Sequence, residues 1–470
     1  MKRNMKTACR PASLLAKNMI MIDTFRTKIE SLFNDAHFGE ILRGTAFTFS
    51  AKIAMLILGI VSNVIIARYY GAKIMGILAI INSIWVVGSI FPIMGTNVSI
   101  LRLIPEHVAK YSFRSAQFIY KKIIYAVIGL SFLIALIILV SSDFIALRIF
   151  SKGYLSYLIA LSAVFLITQT IYQINTEAIR AFKEIRLYAF VQFLPSALNL
   201  LFLMLLTFTF YNKYNPIYIQ FLIFTIGALI TYYFIKRIFL FRINSNPEQR
   251  INKLSYSKII SISFPMFLTG AMHLVIGQTD IIMLGIMRSE AEVGVYAVAL
   301  KLAMLTSFIL ISINSIAAPK FSELYHSNKI DELSNIAQKS SKFIFWTTTP
   351  ILIFLILFGK LVLGIFGKEF VIGYVALVLL VLGQFINSAA GSVGYFLDMT
   401  GHQKAFLNII IFSGILNAGL NLILIPIYGI YGAAFASMVS ISFWNIAAAI
   451  YIRNKFGFLI SYFPLVSNRR

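Results

Sequence analysis

The sequence predicts an all-α polytopic membrane protein with about twelve transmembrane helices in two six-helix halves. Three observations lead there: composition, the spacing of apolar runs, and an internal repeat. Hydrophobic residues make up 59% of the 470 residues, charged residues only 12%, and mean hydropathy is +0.85. A soluble chain carries about 25% charged residues. Apolar runs fall near 46–67, 74–94, 122–141, 155–175, 188–210 and 217–235, then near 259–285, 294–317, 343–364, 371–395, 406–426 and 430–452. Each approaches or exceeds the roughly 20 residues that cross a bilayer as a helix. A shift of about 218 residues lays the second six runs on the first.

The net charge of +24 would suit nucleic acid if it were gathered in one patch, but it is distributed by side. Of 41 Lys and Arg, Lys52 and Lys301 fall inside spans. About 31 of the rest lie on the side shared by both termini and about eight on the other. That is a positive-inside pattern with cytoplasmic termini, and no nucleic-acid partner is expected. The single cysteine, Cys9, excludes a disulfide framework or a Cys-based metal site.

In chain order, 1–43 is a basic N-terminal segment without the apolar core of a cleavable signal peptide. Residues 22–44 alternate apolar and charged groups as an interfacial helix would. The first half spans 44–241, a basic connector 242–258, the second half 259–455, and a short tail 456–470. Ala318–Lys342 reads as one amphipathic surface helix, with Phe321, Leu324, Ile330, Leu333, Ile336 and Ala337 at helical intervals. No loop is long enough for a soluble catalytic domain. The repeat has three anchors: Gly76 falls on Gly294, Arg186 on Lys404, and Asn199 on Asn417. Same order and same orientation imply a parallel repeat about an axis along the membrane normal.

Ionisable residues inside spans are costly and usually functional. The hairpin Phe264–Lys301 concentrates them: His273, Gln278 and Asp280 in its first run, Lys301 in its second. Asp280 either pairs with Lys301 across the hairpin, each offsetting the other's desolvation, or binds a coupling cation or proton. His273 can titrate, but no second ligand lies at metal spacing beside it, so no metal is expected. Gln169, Gln173 and Glu177, four apart, form a polar stripe that would line a cleft. Lys52 and Lys301 can instead snorkel to an interface; Arg68, Arg102 and Arg180 stand at span ends, and Arg102 and Arg180 can serve as anchors on the positive side. Pro195, Pro265 and Pro350 lie inside spans, where they would kink the helix. The repeat places Ser62 opposite Asp280 and Ser83 opposite Lys301, so both charges belong to one half only.

Several segments resemble the multidrug/oligosaccharidyl-lipid/polysaccharide exporter superfamily, and its Wzx-type oligosaccharide flippases above all. In the first half these are GAKIMGILAIINS and GTNVSILR (Gly95–Arg102). In the second they are LGIMRSEAEVGVYAVALKL, AAPKFSELY, LFGKLVLGIFGKEF, LDMTGHQK and LNLILIPIYGIYGAAFAS. Their order and spacing over about 420 residues carry the resemblance. It implies two six-helix halves around a central cleft in a bacterial inner membrane. It also implies alternating-access flipping of a polyprenyl-pyrophosphate-linked glycan for surface polysaccharide such as O-antigen or capsule. Neither an enzyme nor a cofactor is implied. Such a cargo needs cations against its pyrophosphate, and Lys52, Lys301, Arg68, Arg102 and Arg180 are the candidates. Asp280, His273 and Glu177 are candidates for coupling to protons or sodium, or for structural ion pairs. Membrane lipid and polysaccharide assembly proteins are the further partners expected. Two alternatives stay open: a cation-coupled multidrug exporter of the same superfamily, and a membrane polysaccharide polymerase. The polymerase would need acid/base residues on an extramembrane loop that this chain lacks.

Overall fold

A computed structural model describes residues 36–244 and 254–462. Within them it describes all side chains but those of 36–49, 243–244, 265–266, 269, 272–276, 315–316 and 319. The expected interfacial helix over 22–44 lies outside the described residues except for its last ones, which already belong to the first helix. Most of the connector and 463–470 of the tail also lie outside them.

Inside hydrocarbon every backbone polar group must be paired within its own element, and the apolar runs fold as helices. The first half holds α1 (Ala36–Ile93), α2 (Thr96–Lys110), α3 (Phe113–Val140), α4 (Leu155–Ala181), α5 (Ile185–Thr209) and α6 (Asn215–Asn244). The second holds α7 (Tyr256–Met287), α8 (Glu290–Ala303), α9 (Ser307–His326), α10 (Ile330–Phe366), α11 (Tyr374–Ala390), α12 (Val393–Met399), α13 (Gln403–Tyr428) and α14 (Ile430–Phe456). α1 is two spans joined at Gly71, whose φ of 78° breaks the helix. Ten described helical stretches are long and apolar enough to cross a membrane. Counting α1 as two and adding the 32-residue α7 gives twelve.

The shift of about 218 residues holds along the described chain. It carries α5 (Ile185–Thr209) onto α13 (Gln403–Tyr428), and α4 (Leu155–Ala181) onto α11 with α12. It also carries Lys183 (φ 62°) onto Gly401 (φ 82°), so both halves turn in the left-handed region before the fifth helix. One expectation needs correction. Ala318–Lys342 is not one surface helix: it bends at Ser327–Lys329, with Asn328 left-handed (φ 57°), and Phe321, Leu324, Leu333 and Ala337 are buried on both sides of the bend. Pro195 and Pro350 sit inside continuous helices, and the chain leaves α-helical geometry at Gly71 and at a 3-10 turn over Met304–Thr306.

The halves meet through α1 and α8 at the end opposite the basic one. A Cβ on Gly76 would stand 1.7 Å from the Glu290 carbonyl oxygen, and one on Gly294 2.1 Å from the Ala72 carbonyl oxygen. Glu290 is Ala72 moved by the repeat, so the contact is isologous: each copy contributes a glycine and receives it on a carbonyl. Loops related by the same shift cross over it. Glu369 accepts from the Ala72 amide at 2.7 Å, capping the helix that restarts after Gly71. Lys152 donates to the Gly285 and Arg288 carbonyls at 2.8 and 2.7 Å and pairs with Glu290 at 3.3 Å.

One apolar cluster spans both halves at this end, from Ile66–Trp85 to Leu284–Val298 and Leu377–Val381. At the basic end the cores are separate. One gathers Ile100, Ile119, Ile179 and Ile235, and the other gathers Phe321, Leu333, Phe396 and Ile452. The first of these takes in Ile259, because the start of α7 packs on α2, where Ser99 and Ser263 share a hydrogen bond of 2.7 Å. The result is two bundles that share one apolar core at the end opposite the basic one and keep separate cores at the basic end.

Gly76→Ala and Gly294→Ala are each expected to cost about 1–3 kcal/mol by forcing backbones apart, read as a lowered melting temperature. Gly129→Ala, whose added Cβ meets nothing within 4 Å, should be neutral or gain up to about 1 kcal/mol. Equal melting temperatures for all three would remove the glycine seam.

Candidate functional site

Two polar constructions are built around charged residues of the hairpin, Lys301 and Asp280. The first is at the seam between α1 and α8. Lys301 projects from α8 into a groove of about 220 Å³ whose other walls include Leu56, Gly59, Ile60, Leu305 and Phe366. Its ammonium donates to Asn63 Oδ1 at 2.8 Å, and the Asn63 amide donates to the Gly59 carbonyl at 2.6 Å. A neutral amide therefore orients the lysine without cancelling its charge. Past Ala303 the chain turns through Met304–Thr306, and α9 packs on α10 and α12 instead of on α1. The groove follows that divergence. At the matching seam, Ser83 donates to Gln278 at 2.7 Å, so the repeat keeps a polar link and changes its charge.

The second construction surrounds Asp280, which is 4% exposed. One carboxylate oxygen accepts from Asn421 Nδ2 at 2.7 Å and Asn417 Nδ2 at 3.2 Å. The other accepts from the Tyr296 and Ser437 hydroxyls. Four neutral donors replace the water that burial removes; hydrogen bonds to an ionised group are roughly twice as strong as neutral ones. The sequence places them at one depth. Asp280 and Asn421 each precede the end of their helix by seven residues, and Tyr296 and Ser437 follow the start of theirs by six and seven. Four helices running in alternating directions thus bring these side chains to one layer, about 10 Å from the helix tips. Asn421 Oδ1 is buried with no hydrogen-bond partner among the described residues. The Asp280 carboxylate lies beside this free amide oxygen with no cation paired to it among the described residues, an oxygen-rich surrounding of the kind that accepts a monovalent cation. No cluster of three or more His, Cys, Asp or Glu positioned for a metal occurs among the described residues.

Asp280 and Lys301 do not form the expected ion pair. They lie on different faces of the hairpin, the acid turned towards α13 and α14 and the lysine towards α1. The five expected cations are not gathered in one place either; of them Lys301 alone lines the groove. Arg68 is held at the seam, donating to the Ile365 carbonyl at 2.7 Å and the Gly364 carbonyl at 3.4 Å, the free acceptors ending α10. Arg102 pairs with Glu106 at 3.8 Å and Arg180 with Glu177 at 3.4 Å, both arginines being exposed. Lys52 is exposed and makes no ion pair among the described residues. Glu177 is thereby committed to a local pair, and the side chain of His273 lies outside the described residues. Tyr296 and Ser437 were not singled out in the sequence; equal distance from the helix tips is the signal that would have found them.

Residues 41–325, more than half of the chain, match the family described as polysaccharide biosynthesis protein, and residues 265–423 match the MatE family. A probable low-salt glycan biosynthesis flippase, Agl15, of Haloferax volcanii is 25% identical over 174 residues. That match spans 37% of this chain and 37% of the length of that relative. Among solved structures, an inward-facing multidrug resistance MATE transporter of the MOP superfamily superposes with a TM-score of 0.68 at 13% identity. It covers 88% of this chain and 98% of that one. The lipid II flippase MurJ, in an inward closed conformation, gives 0.64 at 15% identity over 86% and 87% of the two chains. A MOP superfamily transporter from Pyrococcus furiosus gives 0.54 at 15% over 88% and 93%. These likenesses show the fold.

Asp280→Asn turns an acceptor into a donor opposite four donors and is expected to cost about 1–3 kcal/mol of stability. Lys301→Ala should change stability little. Because the two side chains do not touch, the double variant should equal the sum within about 0.5 kcal/mol. A larger coupling energy in denaturation experiments would restore the ion pair.

Proposed function

The chain belongs to the polysaccharide biosynthesis protein family, and from that premise we propose that it is a Wzx-type flippase of the MOP superfamily, with the following cargo and mechanism. The cargo is a polyprenyl-pyrophosphate-linked oligosaccharide, flipped by alternating access across a bacterial inner membrane with both termini cytoplasmic. The single observation carrying this reading is Lys301: a cation held by a neutral amide in an otherwise apolar groove on the seam between the halves. A lipid-linked pyrophosphate presents the matching chemistry, an anionic head on a long apolar chain. The ammonium meets the head, the groove walls meet the start of the chain, and the cleft receives the glycan, replacing its water with polar groups.

Asp280 is the coupling residue in this reading. A proton or sodium ion taken up there would change how α7, α8, α13 and α14 hold one another, since the carboxylate collects a hydrogen bond from three of those helices. The seam that Glu369 and Lys152 bridge is the outer gate, which must part before release. Lys52, Arg102 and Arg180 then serve the cytoplasmic approach of the anionic head and not the groove itself. No catalytic step is required of the protein, and the assembled polysaccharide is made by partners.

Deleting the gene should leave a lipid-linked glycan facing the cytoplasm, detected by lipid extraction and by its inaccessibility to an external glycosidase. Complementation with Lys301→Ala should restore export at least about tenfold less well than the native chain, and Lys301→Arg should restore most of it. Unchanged lipid-linked intermediates on deletion, together with protection against organic cations by the native chain, would instead assign the chain to drug export. In proteoliposomes, Asp280→Asn should abolish the dependence of flipping on the proton or sodium gradient. Persistence of that dependence would move coupling elsewhere.

A further inference from the structure

At the basic end of the first half, a pocket of about 580 Å³ opens between α5 and α6. Leu187, Phe234 and Ile238 line it, with Arg237, Arg242 and Glu184. Arg242 is positioned by its ion pair with Glu184 and by the Phe113 ring, 5.1 Å from its guanidinium. Arg237 is exposed and makes no ion pair among the described residues. Beside them Leu240 and Phe241 are 55% and 77% exposed, apolar surface of the kind that faces acyl chains. The shift carries Glu184, Tyr233 and Ile238 onto His402, Tyr451 and Phe456, whose rings pack on one another: the His402 ring lies 5.1 Å from that of Phe456 and 5.9 Å from that of Tyr451. The acid that pairs with arginine in one half is replaced by a ring among rings in the other.

We propose that this pocket binds the headgroup phosphate of an anionic phospholipid. Two guanidinium groups against one carboxylate leave one positive charge, which matches the single negative charge of a phosphodiester. The planar fork of arginine suits phosphate oxygens. α6 runs towards the basic end, so Phe234 lies about 4–5 Å deeper in the bilayer than Arg237. Phosphate at the arginines therefore lays the acyl chains along Phe234 and Leu187, which is the arrangement of a basic inter-helix lipid site. A zwitterionic phospholipid gives no net charge to match, and a free phosphate ester leaves the apolar lining uncovered. The proposal is independent of the cargo.

The test is native mass spectrometry of the detergent-purified full chain, titrated with phosphatidylglycerol or with phosphatidylcholine of the same acyl chains. One more phosphatidylglycerol than phosphatidylcholine should be retained. Arg237→Ala should weaken that retention about fivefold, and Arg237→Lys should weaken it less. Arg237 holds no other element in place, so the melting temperature of Arg237→Ala should match that of the native chain. Equal retention of the two lipids, or phosphatidylglycerol retention unchanged in Arg237→Ala, overturns the proposal. Displacement of the bound lipid by glycerol 3-phosphate would assign the site to free phosphate and overturn it as a lipid site.

Discussion

The rest of the structure depends on a contact between two glycines and two carbonyls. In a membrane, apolar side chains gain little by leaving lipid for protein, so helices associate through close backbone packing and hydrogen bonds. Gly76 on Glu290 and Gly294 on Ala72 bring α1 and α8 as near as backbones can come. The contact is crossed, which aligns the two halves about one axis, and every repeat-related pair of elements follows from it. The shared apolar core and the bridges from Glu369 and Lys152 assemble around that point. At the other end each half has a core of its own, and among the described residues the start of α7 bridges them, through Ser263 on Ser99 and through Lys122, which donates to the Leu254 carbonyl at 2.8 Å and faces the Tyr256 ring.

The repeat also shows where the chain departs from its own symmetry. Asp280 stands where the first half has Ser62, Lys301 where it has Ser83, and the His402 ring cluster where it has the arginine pocket. Backbones are kept and side-chain chemistry is changed. Duplicated helices must preserve their packing faces to stay folded, so specialised groups accumulate where a small polar residue can be exchanged for a charged one.

Acid and base are held by different means. A buried charge recovers its desolvation cost only with good geometry and several hydrogen bonds. Asp280 is buried and has four, from amides and hydroxyls of neighbouring helices, whereas Lys301 is exposed at its groove and makes one, to the Asn63 amide oxygen.

The twelve spans, their helical state and the repeat were legible in the sequence, because hydrocarbon admits few backbone solutions and a duplicated pattern of glycines and turns survives in one dimension. Gly76 and Gly294 were visible as matched residues, but not as residues in contact, since alignment along a shift says nothing of which faces meet. The charges inside the spans were equally visible, and their cost could be argued from hydropathy alone. Their partners could not. Asn63 lies 238 residues from Lys301, and Ser437 lies 157 from Asp280. Which face of α7 and of α8 turns towards α13 and α14, and which towards α1, depends on the rotation of each helix about its own axis. Packing against all its neighbours at once decides that rotation, and no local pattern of residues contains it.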